Sequence, residues 1–218
     1  MTRLYSLDLN NLTNTEIPSE SFENNSNLLE IVLPQNLVRI DDYAFAYCSG
    51  LDSIAFPSTL ESIGRWAFRD CDGLNSSLNF PSNLISIEYG AFAHCSGLKG
   101  ILNLPYGLNI LEGYAFYKCE QLTGVIFPSN LNNIGDDAFS WCVGIEGSLY
   151  LPDSLQIIGN GVFSNCRSIS SIIFPDKITE IGSTAFTNCL NLYNELILPE
   201  NLTSIGSMAF AGCDNLSK

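Results

Sequence analysis

The feature that most constrains this chain is the regular interval between its prolines and its cysteines. Cysteine falls at Cys48, Cys71, Cys95, Cys119, Cys142, Cys166, Cys189 and Cys213, and each follows by 14 residues a proline at Pro34, Pro57, Pro81, Pro105, Pro128, Pro152, Pro175 or Pro199. Only the step from a cysteine to the next proline varies, between 9 and 10 residues, so a single site absorbs an extra residue. Self-similarity at a fixed period of this length is the mark of a solenoid, in which each unit buries its apolar side chains only against its neighbours.

Aligned on these marks, the unit reads Leu-x-x-Ile-x-Phe-Pro-x-x-Leu-x-x-Ile-Gly-x-x-Ala-Phe-x-x-Cys-x-x. The copy with Leu51, Ile54, Phe56, Pro57, Leu60, Ile63, Gly64, Ala67, Phe68 and Cys71 shows it in full. A weaker first copy keeps Ile17, Phe22 and Leu28 but has Asn25 in place of cysteine and Pro18 in place of glycine. Residues 1–28 thus read as a divergent N-terminal repeat or cap and residues 29–218 as eight regular repeats of 23 or 24 residues, all in one domain 1–218. No amphipathic cap follows Ala209-Phe210 and Cys213. The expectation is a fragment of a longer chain, or an end that stacks on something else, with end-to-end self-association as one outcome.

Strict alternation before each proline predicts a strand with one buried face. The inward positions are Leu33, Phe56, Phe80, Leu104, Phe127, Leu151, Phe174 and Leu198, and, two residues earlier, Ile31, Ile54, Leu78, Leu102, Val125, Leu149, Ile172 and Leu196. Proline cannot donate to a ladder and ends this strand. The next apolar pair, such as Leu60 and Ile63, predicts a second short strand, and the Gly-x-x-Ala-Phe-x-x-Cys spacing predicts a short helical or 3₁₀ turn. Stacking these units predicts a main parallel sheet of pre-proline strands and a phenylalanine spine from Phe45 to Phe210.

The Leu-x-x-Ile-x-Phe-Pro and Ile-Gly-x-x-Ala-Phe-x-x-Cys pieces resemble the BspA-like class of leucine-rich repeats, from Ile17 onward. The resemblance, similar in wording to copies from gut and oral Bacteroidetes, implies a leucine-rich-repeat solenoid. It also implies a cell-surface or secreted protein, with adhesion to host proteins or to other cells as its class of activity. It carries over no catalytic residues.

The chemistry legible in the residues is sparse. Charged residues make up 15% of the chain and the net charge is −14, which disfavours nucleic acid and anionic membrane surfaces. No apolar run approaches the ~20 residues needed to span a bilayer, and the opening residues lack the apolar core of a signal peptide. The cysteines recur at the repeat period rather than as close Cys-x-x-Cys pairs, so they read as buried small hydrophobes and not as disulfides or metal ligands. The single histidine, His94, reads as exposed, and no catalytic set can be built around it. Asp41-Asp42 and Asp136-Asp137 read as solvated turn charges, and Gly64, Gly135, Gly159, Gly182 and Gly206 as turn residues. Neither a cofactor nor a metal is expected.

Function is then expected on the outward positions, two residues before proline: Val32, Ala55, Asn79, Asn103, Ile126, Tyr150, Ile173 and Ile197. The row beside them, Glu30, Ser53, Ser77, Ile101, Gly124, Ser148, Ser171 and Glu195, is mostly small and leaves room for a partner. A contiguous patch of Ile126, Tyr150, Ile173 and Ile197, extended by Asn79 and Asn103, predicts a protein-binding face. The competing reading of those side chains is plain β-propensity. A second stripe of Tyr43, Trp66, Tyr114 and Trp141 offers a carbohydrate site as the alternative. A structural spacer is the third possibility.

Overall fold

The computed structural model describes residues 5–193 and 196–216; Glu195, one of the positions flanking the outward row, lies outside them. The chain is a parallel β-solenoid of about nine coils, and every strand pairing among the described residues is parallel. Strands are numbered in chain order. On the pre-proline side lie β1 (Ser6–Asp8), whose coil has Asn10 where the others have proline, β3 (Glu30–Val32), β7 (Gly100–Asn103), β9 (Leu122–Ile126), β10 (Gly147–Tyr150) and β12 (Ile169–Ile173). After them come two-residue strands: β2 (Glu16–Ile17), β4 (Arg39–Ile40), β5 (Ser62–Ile63), β6 (Ser86–Ile87), β8 (Ile110–Leu111), β11 (Ile157–Ile158), β13 (Glu180–Ile181) and β14 (Ser204–Ile205).

The two sets of strands exchange the ranks expected for them. The short strands make the longer ladder, β2-β4-β5-β6-β8, which an isolated bridge from Leu111 extends to Ile134, and β11-β13-β14 continue on the later coils. Their inward residues stack like on like, Ile17, Ile40, Ile63, Ile87 and Leu111 in register. The pre-proline strands, expected to be the main sheet, split into the pairs β1-β3, β7-β9 and β10-β12, plus a lone Asn79–Asn103 bridge.

Coil length accounts for the split. Ladders of four residue pairs form where a coil with a ten-residue step from cysteine to proline precedes one with a nine-residue step, as β7 does β9 and β10 does β12. The register shifts at Gly100/Ile101 and at Gly147/Ser148, where the partner strand carries an extra unpaired residue, Thr123 in β9 and Ser170 in β12. Both glycines have positive φ, 82° and 74°, and a Cβ on either would meet nothing within 4 Å, so backbone conformation and not crowding favours glycine there. Where a nine-residue step precedes a ten-residue one, from β9 to β10 and from β12 to the coil of Ile197, the described residues show no ladder. A one-residue phase error would turn a strand's apolar face outward. The coils keep their apolar faces inward and give up strand pairing instead, except that on the last coil Leu198, expected to point inward, is 41% accessible.

The Gly-x-x-Ala-Phe-x-x-Cys stretch is not helical, which corrects the helical or 3₁₀ expectation: it is a run of turns, and the described residues contain no helix. Two positions in each run, two before and two after the phenylalanine, adopt positive φ, as at Tyr43 (57°) and Tyr47 (62°), or Trp66 (56°) and Asp70 (55°). A left-handed residue at every fourth position prevents consecutive i→i−4 bonds. Backbone donors alternate instead. The N–H groups of Tyr43, Phe45 and Tyr47 donate forward to the Arg65, Ala67 and Arg69 carbonyls of the next coil at 2.9, 2.7 and 2.7 Å. Those of Ala44, Ala46 and Cys48 donate to the residue three back within their own coil. On the short-strand side the bonds run the other way, with Glu61 and Gly64 N–H donating to the Val38 and Ile40 carbonyls of the preceding coil at 2.8 and 2.7 Å.

Side chains fill the space between these two backbone seams. The repeat phenylalanines from Phe22 to Phe210 stack with neighbouring ring centroids 5.0–5.6 Å apart and planes within 11° of parallel. Phe45 to Phe186 are fully buried, while Phe210 on the last coil is half-buried. Phe56, Phe80, Phe127 and Phe174 meet this spine edge-on, at centroid distances of 5.6–6.1 Å. Gly64 follows its strand without positive φ; a Cβ there would lie 2.8 Å from the Asp41 carbonyl carbon, so glycine permits the close approach of two coils.

Candidate functional site

All eight cysteines are buried and unpaired. Each thiol donates a hydrogen bond to the phenylalanine carbonyl of the coil before it, from Cys48 to Phe22 at 3.0 Å through Cys213 to Phe186 at 3.1 Å. Burial pushes the Cys48 thiol up to about 11 and that of Cys142 to about 12, so both stay protonated and unreactive at neutral pH. The cysteines are a structural ladder, and their hydrogen bond was not legible in the spacing that revealed them.

The paired acids are bonded rather than merely solvated. Asp42 accepts the Arg65 N–H at 2.8 Å and Asp136 accepts the Asn160 N–H at 2.8 Å, each from the next coil, and Asn160 in turn accepts the Ser183 N–H at 2.9 Å. His94, expected to be exposed, is half-buried with its ring edge-on to Tyr117 at 5.3 Å. Among the described residues no group of three or more His, Cys, Asp or Glu side chains could hold a metal ion. A cleft of about 250 Å³ lined by Arg39, Asp41, Asp42, Ser62 and Glu88 crosses the short-strand face. Burial, with Asp42 and Glu112 close by, raises the Glu88 carboxyl above its ordinary range.

The aromatic stripe is half-buried along its length, and its members are divided. Trp66, Tyr89, Tyr114 and Tyr117 follow one another in contact, with centroids 5.2–5.3 Å apart. Trp141 lies apart, three coils on from Trp66 and after its phenylalanine rather than before it. The ring faces are occupied: Arg69 lies 5.0 Å over Trp66 and 5.4 Å from Tyr47, and Arg167 lies 5.3 Å over Trp141. Tyr43 stands at the head of the stripe in the same left-handed conformation.

The outward row is brought together. All eight of its residues are exposed, and Ile126, Tyr150, Ile173 and Ile197 are 55%, 65%, 48% and 82% accessible. Strand register sets Asn79 beside Asn103, Asn103 beside Ile126, and Tyr150 beside Ile173. Where pairing lapses, clefts open. One of about 280 Å³ lies between the coils of Ile126 and Tyr150, floored by Val125 and Phe127. Another of about 340 Å³ lies between those of Ile173 and Ile197, walled by Tyr193 and Leu196. The Ser148 and Ser171 hydroxyls bond to each other at 2.7 Å beside the row. Tyr193 escaped the sequence reading because it follows its cysteine by four residues, a column that is polar in the earlier coils, as at Asp52, Asn75, Lys99 and Thr123.

Residues 15–146 and 146–218 match the BspA type leucine rich repeat region, in six copies. No curated protein sequence is significantly similar to the chain. Among solved structures, a leucine rich repeat protein of T. pallidum is similar over 88% of this chain and 79% of its own, with 23% identity and a TM-score of 0.63. The pneumococcal vaccine antigen PcpA aligns with 98% of this chain and 71% of its own at 22% identity and a TM-score of 0.60. A leucine rich cell surface protein from Faecalibacterium prausnitzii aligns with 99% of this chain and 81% of its own at 20% identity and a TM-score of 0.55. Coil, columns and family match agree, and the chain belongs to the BspA-type leucine-rich repeat family.

Proposed function

We propose that this chain is a non-catalytic interaction module that engages a protein partner through the outward row of its pre-proline strands. The observation that carries this reading is the contiguity of Ile126, Tyr150, Ile173 and Ile197, which stand exposed on consecutive coils with clefts between them. Isolated exposed apolar residues are ordinary, but a continuous patch with an aromatic at its centre has the composition of an interface core. The polar groups that could suggest chemistry have structural partners: thiols on carbonyls, Asp42 and Asp136 on backbone N–H groups. A cell-surface or secreted setting suits the family and the cell surface description of the F. prausnitzii neighbour. Sugar stacking on Trp66 or Trp141 is disfavoured because a guanidinium already covers each ring.

The immobilised chain should retain its partner from surface extracts of adhering cells, and the double variant Tyr150→Asp with Ile173→Asp should lose it while keeping the same thermal transition. Equal retention by both proteins would overturn the reading.

A further inference from the structure

A row of carboxylates runs beside the apolar row on the last three coils. The residue directly after each proline is Gln35, Ser58, Ser82, Tyr106 or Ser129 in the earlier coils, but Asp153, Asp176 and Glu200 in the last three. All three are exposed. Asp153 lines the cleft of Ile126 and Tyr150, while Asp176 and Glu200 line a further cleft of about 440 Å³ with Phe174, Ile197 and Leu198. Ion pairs among the described residues join Arg39 to Asp41 and Arg69 to Asp70, and none reaches this row. The apolar patch is therefore flanked on one side by carboxylates that form no ion pair among the described residues and keep step with it, coil by coil, with Lys177 beside Asp176 as the one cation next to them in sequence.

Spacing narrows the occupant further. The stacked phenylalanines of these coils repeat at 5.4–5.6 Å, so anchors on four consecutive coils fall at about 0, 5.5, 11 and 16.5 Å along the solenoid axis. An extended segment lying along that axis shows same-face side chains about every 6.7 Å and loses register by the third coil. An α-helix rises about 1.5 Å per residue, so its positions i, i+4, i+7 and i+11 fall at about 0, 6, 10.5 and 16.5 Å and meet every coil.

Resting on the reading that the sheet face is the interaction surface, we propose that its occupant is an amphipathic, basic α-helix of a partner protein. Such a helix lies along the solenoid axis with its apolar edge on Ile126, Tyr150, Ile173 and Ile197 and lysines or arginines along the flank that meets Asp153, Asp176 and Glu200. The partner's cations supply the counter-charge that the row lacks, and the clefts between coils receive its larger apolar side chains.

The test uses the full chain and three labelled synthetic peptides of about 18 residues. One is a leucine-lysine helix with leucine at i, i+4, i+7 and i+11, another carries glutamate in place of lysine, and the last has the lysine composition in strict alternation. Fluorescence anisotropy should show the lysine helix binding tightest, with affinity falling as salt rises. Asp153→Asn, Asp176→Asn and Glu200→Gln together should weaken it about tenfold. The equal charge change Glu16→Gln, Glu20→Gln and Glu61→Gln should leave it in place, and Tyr150→Ala should weaken it without changing the thermal transition.

If the glutamate helix binds as well as the lysine helix while Tyr150→Ala still weakens both, the basic assignment is overturned and the sheet-face reading stands. Preference for the alternating peptide overturns the helical assignment. Equal losses from the two charge-neutralising triples reduce the effect to net charge and overturn the proposal, as does failure of the lysine helix to bind. If Tyr150→Ala has no effect on any peptide that binds, the sheet-face reading fails with it.

Discussion

Fifteen non-glycine residues among those described hold positive φ, and all lie two before or two after a repeat phenylalanine. The conformation costs about 1–2 kcal/mol for an ordinary side chain, and the three forward hydrogen bonds of each turn run offset it. The signal for it was present in the aligned columns. The position after the phenylalanine holds Asn24, Asp70, His94, Asn165, Asn188 and Gly212, all residue types tolerant of that region, but the tyrosines, tryptophans and Lys118 that share the two columns obscure it. Lys118, at φ 59°, should accept glycine with a gain of about 0.5–1 kcal/mol in urea unfolding, the relieved strain exceeding the entropy lost. A loss would show that the contact of its ammonium with the Tyr117 ring outweighs the strain. Within the spine, Phe116→Ala removes a fully buried ring stacked on both sides and should cost about 3–5 kcal/mol by the same measurement.

At the level of the element, one residue decides whether two strands pair. The repeat period and the elastic site before the proline were legible, but the order of long and short coils acquires meaning only when strands are laid side by side, so the broken sheet was not. Deleting Gly147 shortens the step of its coil and removes the residue that pairs with Ile169 at the bulge between β10 and β12. Amide exchange in residues 169–173 should then accelerate by an order of magnitude or more, while Ile158 and Ile181 in the short ladder keep their protection. Unchanged protection in 169–173 would show that coil length is not what places the break. The same separation explains why the apolar row could be read from the sequence and its clefts could not: side-chain identity is a column property, whereas an opening depends on the phase of adjacent coils.

For the molecule as a whole, the buried thiols couple stability to alkaline pH. The pKa values of Cys48 through Cys189 are raised by folding, so the folded chain keeps protons that the unfolded chain releases above about 8.5; Cys213, lowered by its contact with Cys189, is the exception. The stabilisation is complete below that pH and is lost as pH rises through the range up to about 11–12. The thermal midpoint should fall steadily from about pH 9 upward. Cys142→Ala should lower the midpoint at pH 7 through the lost packing and hydrogen bond, and make the alkaline decline shallower. A midpoint that is flat to pH 10.5 would refute the coupling.

The opposed hydrogen-bond directions of the two backbone seams bear on what a long stack can be. Between the coils of Phe45 and Phe68, three turn N–H groups point toward the C-terminal end, while the Glu61 and Gly64 N–H groups and the Cys71 thiol point back. Peptide dipoles aligned in one sense would add with each coil, as they do along an α-helix, and charge the two ends oppositely. Here they run antiparallel across each coil and largely cancel, so coils can be added without building up an axial field. The electrostatic character of the surface is left to side chains alone, and a change at one exposed position alters that field locally without altering the stack beneath it.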